Sequence, residues 1–462
     1  MGADERVENL VLGGGEAGKW ISWELGRQGK QVVVIERGLI GGSCPNIACL
    51  PSKNEIRSAK VASFAMHGAE FGVREQNVTV DMEGVRARKR RMVEGEVAFH
   101  LEMFKARHVQ FLLGEGNLVG PRTVEVKLAQ GGTRRFTGDR LFLNLGTRAS
   151  VPDLPGLVAA QPLTHVGALE LGRVPSHLIV IGAGYVGVEL AQAFRRFGSK
   201  VTMLGRGAQV LANEDADVAA ELRNIFESEG IDVQLNTEIV SVDGSSGERV
   251  RVRVQTQAGE RTIEGSDVLV ATGRTPNTRG IGLEEAGIAL DATGYIKVDD
   301  KLQTAAANVW AMGECAAGTP KFTHAAFDDF RVVRDNLAGK PRSTRGRLVP
   351  YCVFTDPELA HVGHSEKTAQ RDAIRVRVAR LPMSSVLRAH TTGEMRGFMK
   401  MLVGTDDRIL GFTMLGSEAG EVVAVVQAAM LAGMPYTGLR DAIFAHPTMA
   451  EGLGPLLANV PA

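Results

Sequence analysis

Apolar positions along the chain form short strand-like runs that alternate with stretches of helical spacing. Residues 7–12 and 31–35 predict buried strands, and residues 19–28 between them follow the periodicity of a helix. The same succession returns later, with strands at residues 178–181 and 200–204 on either side of a second helix. Strands that alternate with single helices are typical of parallel sheets. The pattern therefore predicts an α/β protein with two βαβ units in one chain.

The remaining segments follow other patterns. Residues 78–105 predict a charged helix with a solvated basic face, and residues 109–150 predict short alternating strands. Residues 338–347 are rich in Gly, Pro, Ser, Thr and basic residues, which predicts a linker. Beyond the linker we predict strands alternating with helices, among them strands at residues 350–354, 374–381 and 397–403 and a half-buried helix at residues 421–432.

Length and composition narrow the class of protein. A chain of 462 residues is long enough for about two to four domains. Its formal net charge of zero does not favour nucleic acid or an anionic membrane as a partner. Four cysteines are too few for a secreted disulfide framework, and no apolar run approaches the length of a membrane span. The first residues lack the apolar core of a signal peptide. We expect a soluble cytoplasmic protein that acts on a small molecule, without nucleic-acid or membrane partners.

The first βαβ unit carries a glycine motif at its strand–helix turn. Residues 13–18 fit G-x-G-x-x-G, and Glu36 closes the second strand. Such glycines let a pyrophosphate approach the helix N-terminus, and an acid after the second strand bonds a ribose hydroxyl. A tight turn without a ligand is the alternative, which the flanking strands and Glu36 in register disfavour. The predicted dinucleotide contacts are Gly13, Gly15, Glu16, Ala17, Gly18 and Glu36.

The second βαβ unit repeats the motif with one change. A shift of 169 positions places the three glycines of the first motif on Gly182, Gly184 and Gly187, and places Glu36 on Gly205. The ribose-binding acid is therefore missing, and Arg206 follows the vacant position. A carboxylate would repel a 2′-phosphate, whereas an arginine can pair with one. This favours NADPH over NADH. The alternative is that Arg206 is a solvated loop residue and the site accepts either nucleotide.

Between the two units, Cys44 and Cys49 stand five positions apart in a segment of glycines, Pro45–Asn46 and Lys53. If the segment from Cys44 onward is helical, five positions are about 1.4 turns, so the sulfurs lie on neighbouring turns and can bond. A disulfide closing so short a loop adds little stability, which favours a bond that opens and closes. A helix start and a nearby cation favour thiolate over thiol.

The cysteine pair has two alternative interpretations. A structural zinc site needs four ligands, and no second Cys pair or close His supplies them, so we predict no metal. Two buried, unreactive cysteines are disfavoured by the surrounding glycines, turn and cation. Two nucleotide sites in one chain also exclude a simple dehydrogenase, and they suggest one tightly held dinucleotide and one diffusing one.

The segment 41–53 resembles the redox-active disulfide motif G-G-T-C-x-N-x-G-C-x-P-S-K of the FAD-dependent pyridine nucleotide–disulfide oxidoreductases, such as dihydrolipoamide dehydrogenase, glutathione reductase and mercuric reductase. Pro45 and Ala48 depart from the motif but keep the sulfur spacing. The resemblance covers roughly residues 6–460. It implies two Rossmann-like dinucleotide-binding domains and a C-terminal α+β dimerisation domain. The implied segments are an FAD-binding domain at 1–150 and 272–345, an NAD(P)H-binding domain at 151–271 and a dimerisation domain at 346–462.

The same resemblance assigns further cofactor contacts. The first glycine motif would hold FAD and the second NAD(P)H, with Tyr185 shielding the flavin until the nicotinamide displaces it. Residues 145–148 and 271–277 resemble the crossover motifs that brace the nucleotides. Residues 309–315 resemble the second FAD motif, with Glu314 at the position where an Asp usually bonds the ribitol. The added contacts implied are Gly42, Ser43, Lys53, Gly146, Thr147, Gly273, Arg274, Gly313 and Glu314.

The resemblance also implies a reaction. Hydride would pass from NAD(P)H to FAD and open the Cys44–Cys49 disulfide, with Cys49 as the charge-transfer thiolate and Cys44 as the interchange thiol. His446 would accept and return the proton, with Glu451 orienting its ring. Without the resemblance, the spacing of His446 and Glu451 predicts only a His in a turn and a Glu at a helix surface. The remaining implications are an ion pair of Lys53 with Glu189 and a homodimer in which His446 completes the other subunit's site. Cys315 and Cys352 are interpreted as structural, and His324 as a packing or hydrogen-bonding residue rather than a base.

The acceptor is inferred by comparison within the family. The chain ends without the vicinal Cys pair of mercuric reductases, and Gly205 replaces the acid that dihydrolipoamide dehydrogenases keep. Residues 322–336, 349–358 and 388–397 resemble the mercuric-reductase-like branch that includes reactive-chlorine-resistance flavoproteins. We therefore expect a small oxidised sulfur species or reactive oxidant as substrate. The alternatives are dihydrolipoyl dehydrogenase, reduction of mercuric or another metal ion, direct electron delivery from flavin, and a docking or redox-signalling flavoprotein.

Overall fold

The computed structural model describes residues 4–74 and 77–462, so the start of the predicted first domain, residues 1–3, lies outside it. The strands are β1 Asp4–Leu12, β2 Val32–Glu36, β3 Gln110–Gly120, β4 Thr123–Leu128, β5 Thr133–Leu143, β6 Thr147–Ala149, β7 His177–Ile181, β8 Lys200–Leu204, β9 Ile231–Gln234, β10 Glu238–Ser245, β11 Arg249–Thr256, β12 Gly259–Gly265, β13 Asp267–Val270, β14 Arg274–Pro276, β15 Val309–Ala311, β16 Tyr351–Val353, β17 Glu358–Gly363, β18 Val376–Pro382, β19 Phe398–Gly404 and β20 Ile409–Gly416.

The α-helices are α1 Glu16–Arg27, α2 Ser43–Ile47, α3 Cys49–Met66, α4 Met82–Ala106, α5 His165–Ala168, α6 Tyr185–Phe197, α7 Ala216–Ser228, α8 Thr323–Leu337, α9 Glu366–Arg371, α10 Leu387–Thr392, α11 Ala419–Leu431, α12 Tyr436–Arg440 and α13 Leu453–Ala458. Short 3-10 helices occur at Gly68–Phe71, Gly313–Cys315, Met383–Ser385 and Ala450–Gly452. Over the described ranges, none of these helices has the length and apolar character needed to cross a membrane.

The chain divides into two compact units. The first contains residues up to 54, 84–150 and 274–347, and the second contains residues 55–83, 151–273 and 348–462. In the first unit, β15, β5, β1, β2 and β3 form a parallel layer, and β4 joins β3 to β5 in an antiparallel meander. Leu10 lies opposite both Val33 and Leu141 in this sheet, and all three side chains are fully buried. The sheet is thus apolar at its centre, as expected for parallel strands.

The described residues of the second unit form three sheets. The parallel sheet has the order β13, β7, β8, β9, and β10, β11 and β12 form an antiparallel sheet. The five-stranded antiparallel sheet has the order β16, β17, β20, β19, β18, and its core cluster includes residues of α11 such as Val422 and Val426. These layers agree with the predicted two Rossmann-like domains and C-terminal α+β domain. The predicted boundaries at residues 150, 271 and 345 remain a prediction.

Most predicted elements occur within a few residues of their expected ends. The predicted strand at 200–204 is β8, and the strands predicted beyond the linker are β16, β18 and β19. The linker residues 338–347, all of them described, contain neither helix nor strand. The charged helix predicted from residue 78 begins only at Met82. The larger correction concerns the cysteine segment, which is not a single helix: α2 ends at Ile47 and α3 begins at Cys49.

One buried cation organises the polar part of the second unit. Lys400 on β19 has a side chain that is 1% exposed, and its Nζ lies 2.7 Å from Asp215, 2.8 Å from Asp217 and 2.7 Å from Glu366. Burial alone would lower the pKa of Lys400, but hydrogen bonds to these carboxylates outweigh it and raise that pKa. Lys400 therefore stays charged and fixes the first turn of α7 to the antiparallel sheet.

Candidate active site

The first glycine turn leaves no room for side chains. At Gly13, where φ is +99°, a Cβ would lie 2.3 Å from the backbone oxygen of Asn144. At Gly18 a Cβ would lie 2.1 Å from the backbone oxygen of Gly13. Among the described residues, α1 begins after Gly15 without a side-chain cap, so the first-turn amides of Glu16 and Ala17 can face an anion, whereas that of Gly18 is bonded to Asn144. The turn therefore fits a pyrophosphate.

Glu36 lies at the end of β2 and faces this turn. Its Oε2 accepts the backbone N–H of Gly14 at 2.8 Å, and its Oε1 accepts those of Gly38 and Leu39 at 2.9 and 3.0 Å. The carboxylate is thereby held beside the glycine turn, where a ribose hydroxyl would need an acceptor. Glu16, also a predicted contact, pairs with Lys19 at 2.9 Å on the first turn of α1.

Asn144 is a site residue that the sequence analysis missed. Its Oδ1 accepts the backbone N–H of Gly18 at 3.1 Å, and its Nδ2 donates to the backbone oxygen of Met312 at 2.8 Å. The side chain thus joins the glycine turn to the residue before Gly313. Asn144 could have been found from the sequence as a single amide at the end of the apolar strand β5, since a buried amide needs hydrogen-bond partners.

The redox segment is positioned by close backbone approach and by Asn46. Gly42 has φ +90°, and a Cβ there would lie 2.6 Å from the Cα of Gly15. Asn46 donates to the backbone oxygens of Ile40 at 2.8 Å and Gly42 at 2.7 Å, which ties α2 to the loop before it. The helix break falls at Ala48, whose φ of −130° and ψ of −103° are not helical. This segment therefore packs directly against the first nucleotide turn.

Cys44 and Cys49 are free thiols in hydrogen-bond contact, and Cys49 Sγ lies 3.3 Å from Thr323 Oγ1. The hydrogen bond from Cys44 lowers the pKa of Cys49 to about 6, with further lowering by the Thr323 hydroxyl and the charge of Lys53. The same bond, together with burial, raises the pKa of Cys44. Reduced Cys49 is therefore a thiolate at neutral pH while Cys44 keeps its proton.

The second predicted FAD motif forms a polar cluster. Glu314 accepts a hydrogen bond from the Thr147 hydroxyl, and Arg274 Nε lies 3.2 Å from Glu314 Oε2 and 2.6 Å from Thr147 Oγ1. The longer Glu314 thus reaches Thr147 and Arg274, and its predicted ribitol contact remains a prediction. Asp329 is a second missed residue: its buried carboxylate accepts the backbone N–H of Gly313 at 2.8 Å.

The other predicted structural residues also have defined places. Thr323 begins α8, and the rings of Phe322 and His324 stack at 5.3 Å, in line with a packing role for His324. Cys315 is fully buried, and burial raises its pKa to about 11. Cys352 lies in β16 and packs against the core of the antiparallel sheet.

The second glycine turn has the same construction as the first. Gly182 has φ +116°, and a Cβ at Gly187 would lie 2.2 Å from the backbone oxygen of Gly182. Gly184 and Tyr185 stand at the start of α6. A Cβ at Gly205 would lie 2.8 Å from Leu235, so no acidic side chain fits there without displacing that residue. Arg206 is exposed directly after it.

Of the two predicted catalytic pairs, the structure describes the contact between His446 and Glu451 but not the one between Lys53 and Glu189. His446 Nδ1 lies 2.8 Å from Glu451 Oε2, and the His446 side chain is 65% exposed. Because an ionised carboxylate only accepts, Nδ1 carries the hydrogen and Nε2 is left as a proton acceptor. Glu189, the predicted ion partner of Lys53, accepts the backbone N–H of Phe354 at 2.8 Å. Lys53 belongs to the other unit, so that ion pair remains a prediction.

Comparison with known proteins assigns the class. Residues 8–329 match the pyridine nucleotide-disulphide oxidoreductase family and residues 349–456 match its dimerisation domain. The chain belongs to this family of FAD-dependent oxidoreductases that use a pyridine nucleotide.

Individual relatives cover nearly the whole chain. RclA of Escherichia coli K12, described as a probable pyridine nucleotide-disulfide oxidoreductase, is 32% identical over 98% of this chain and 99% of its own length. Dihydrolipoyl dehydrogenase of Geobacillus stearothermophilus is 32% identical over 96% of this chain and 94% of its own. A solved Cu(II) complex of RclA, titled an HOCl-induced flavoprotein disulfide reductase, superposes with a TM-score of 0.89 at 32% identity and covers 98% of this chain and 99% of that one.

The thiolate at Cys49 should depend on the Thr323 hydroxyl. In the reduced protein, the pKa of Cys49 is lowered, so thiolate is present above about pH 6 and is lost as the pH falls through that value. We expect Thr323→Val to raise the midpoint, because the thiolate loses a hydrogen-bond donor. Ultraviolet thiolate absorbance against pH, with Cys49→Ser as the blank, measures it. Thr391→Val on the exposed face of α10 is the matched control, and an unshifted midpoint in T323V would contradict the assignment.

Proposed function

We propose that this protein is an NAD(P)H-dependent disulfide reductase whose Cys44–Cys49 pair reduces a small oxidised sulfur species or reactive oxidant. The observation that carries the proposal is the unequal pair of thiols beside the first glycine turn. Adding two electrons and one proton to a Cys44–Cys49 disulfide breaks the S–S bond and gives one thiolate and one thiol. The pKa values of the two residues assign the thiolate to Cys49 and the thiol to Cys44.

The chain's own residues would carry out the remaining tasks. When bound, FAD supplies the two-electron relay between the nicotinamide and the cysteine pair. The turn at Gly13, Gly15 and Gly18, with Ala17 and Glu36, would hold its nucleotide part. Gly42, Ser43 and Lys53, with Gly146, Gly313 and the Glu314 cluster, would line the rest of that site. Residues 1–150 and 272–345 would thus form the FAD domain, residues 151–271 the NAD(P)H domain and residues 346–462 the dimerisation domain.

Cys44 needs a base before it can attack an acceptor, because its pKa is raised. We assign that base to the partner subunit's His446. Its ring is exposed, its Nδ1 is engaged by Glu451, and its Nε2 is left to accept a proton. A match to the family's dimerisation domain supports a homodimer in which each subunit supplies this residue.

The acceptor is proposed from relatives and from the chain's own chemistry. A relative described as HOCl-induced favours an oxidant or the oxidised sulfur species that oxidants produce. A relative that acts as a dihydrolipoyl dehydrogenase keeps lipoamide as a candidate. Reduction of a metal ion is the second candidate, since two neighbouring thiols are soft ligands and a relative has been solved with Cu(II). A docking or signalling role would not require Cys44, Cys49, His446 and Glu451 together.

A panel of acceptors tests the reaction. We expect turnover with hypothiocyanite to exceed that with lipoamide, glutathione disulfide, mercuric ion and Cu(II), measured as NADPH oxidation at matched concentrations. Cys44→Ser should reduce this turnover by about a thousandfold or more while FAD stays bound, because the attacking sulfur is gone. Cys352→Ser in β16 is the control. Lipoamide as the best acceptor would indicate dihydrolipoyl dehydrogenase instead. Full activity in C44S would favour direct delivery from the flavin.

Arg206 is proposed to select NADPH by pairing with its 2′-phosphate. Arg206→Gln should raise the KM for NADPH by about tenfold or more and leave the KM for NADH unchanged, since only NADPH loses a charge-assisted hydrogen bond. Arg251→Gln, at an exposed arginine on β11, should change neither constant. A wild-type preference for NADH would rule out this role for Arg206, and the rest of the mechanism would stand.

Action of His446 across the dimer predicts complementation between two inactive variants. A heterodimer of Cys44→Ser and His446→Gln subunits contains one site with an intact Cys44 and an intact His446 from the partner. We expect about half the wild-type activity per heterodimer, against little activity in either parent homodimer. Two different affinity tags isolate the heterodimer, and a doubly tagged C44S homodimer is the control. A heterodimer as inactive as its parents would place His446 in its own subunit's site.

A further inference from the structure

Two tyrosines in the second unit share one buried carboxylate. The Tyr185 hydroxyl donates to Glu214 Oε1 at 2.9 Å, and the Tyr351 hydroxyl donates to the same oxygen at 2.7 Å. Glu214 is 3% exposed. Burial and the neighbouring charge of Glu214 raise the pKa of both tyrosines, so both stay protonated donors at physiological pH. The two rings lie 5.8 Å apart, and Tyr351 also packs against His361 at 5.2 Å.

The position of Tyr185 brings the cluster of Tyr185, Tyr351 and Glu214 next to the second glycine turn. Tyr185 is the first residue of α6 and directly follows the turn Gly182–Gly184. In the proposed function that turn receives the pyrophosphate of NAD(P)H, so the Tyr185 ring stands where the cofactor must enter. Its hydroxyl is tied down at the same end of the helix, by Glu214 and also by a hydrogen bond to Asn213.

Glu214 belongs to a loop that is itself firmly held. Residues 205–215 run from Gly205–Arg206 to the start of α7, and Leu211 donates its N–H to Ala183 within the glycine turn at 2.8 Å. Gln209 bonds the backbone oxygen of Glu214 at 3.0 Å, and Lys400 holds Asp215. Glu214 therefore cannot follow Tyr185 easily when the tyrosine moves.

We propose that Glu214 is a positioning residue that latches Tyr185 at the mouth of the nucleotide site, and that Tyr351 is the donor that keeps the carboxylate satisfied once Tyr185 is released. This rests on the proposed use of NAD(P)H at the second glycine turn. A buried carboxylate left without donors is strongly disfavoured, but Glu214 keeps the Tyr351 hydroxyl as a donor when Tyr185 is released. The latch sets how tightly the nucleotide binds without touching the cysteine chemistry.

The latch predicts opposite effects for two conservative substitutions. Glu214→Gln weakens the acceptor, so release of Tyr185 becomes easier and the Kd of NADPH should fall about three- to tenfold. Tyr351→Phe leaves Glu214 dependent on Tyr185, so release becomes harder and the Kd should rise by a similar factor. In a Tyr185→Phe background neither substitution should change the Kd, because the latched group has no hydroxyl.

Anaerobic stopped-flow reduction of the FAD-loaded enzyme over a range of NADPH concentrations gives the Kd and the limiting rate constant. The variants are E214Q, Y351F, Y185F and the two double variants, with Glu227→Gln on α7 and Tyr436→Phe on α12 as matched controls. Reoxidation of the reduced enzyme by its acceptor should be unchanged in E214Q and Y351F. If Y351F does not fold, E214Q, Y185F and their double variant alone test whether Glu214 and Tyr185 are coupled in their effect on the Kd of NADPH.

The outcomes separate the latch from the function it rests on. Opposite shifts in Kd that disappear in Y185F support the latch. Equal Kd values in all variants, or shifts that persist in Y185F, would overturn the latch. If NADPH still reduces the flavin of the wild-type enzyme, the proposed function is unaffected by that result. A wild-type flavin that neither NADPH nor NADH reduces would overturn both.

Discussion

The contact between the backbones of Gly15 and Gly42 is the constraint on which the candidate site depends. A Cβ at position 42 would come within 2.6 Å of the Gly15 Cα, so the loop before the cysteines packs directly on the first glycine turn, the proposed dinucleotide site. Asn46 holds that loop from the other side through two backbone oxygens. The cysteine segment and the first glycine turn are thereby brought together by two residues without side chains, because only glycines let the backbones approach this closely.

Buried polar side chains supply the second level of organisation. Asn144 and Asp329 accept the backbone N–H groups of Gly18 and Gly313, and Glu36 accepts three backbone N–H groups. Each is a buried group whose partners are fixed in number and direction, so it fixes the backbone it bonds. The two thiols are also fixed as donor and acceptor, because Cys44 donates the hydrogen bond and Cys49 carries the negative charge. The unequal acidity of the two thiols results from the hydrogen bond between them, from burial, and from Thr323 and Lys53 beside Cys49.

The sequence predicted those features that depend on neighbouring residues. Both βαβ units, their glycine turns, Glu36 and the cysteine spacing follow from local pattern, and the structure has them. The break at Ala48 was missed because helical spacing continues through it. Asn144 and the Glu214 pair with Tyr351 were missed because their partners lie far away in the chain, 126 and 137 positions apart. Asp329 lies only 16 positions from Gly313, but the two residues belong to different helices. Such pairings are set by topology rather than by propensity.

The Lys400 ammonium takes the place that a divalent ion could occupy among three carboxylates of the second unit. Asp215, Asp217 and Glu366 place their oxygens as close together as the ligands of a bound divalent ion, but the positive charge among them is covalently part of the chain. A tethered ammonium cannot be stripped by a chelator or exchanged for a competing ion. The Lys400 ammonium thus holds the start of α7 in the place where a bound divalent ion would otherwise be needed.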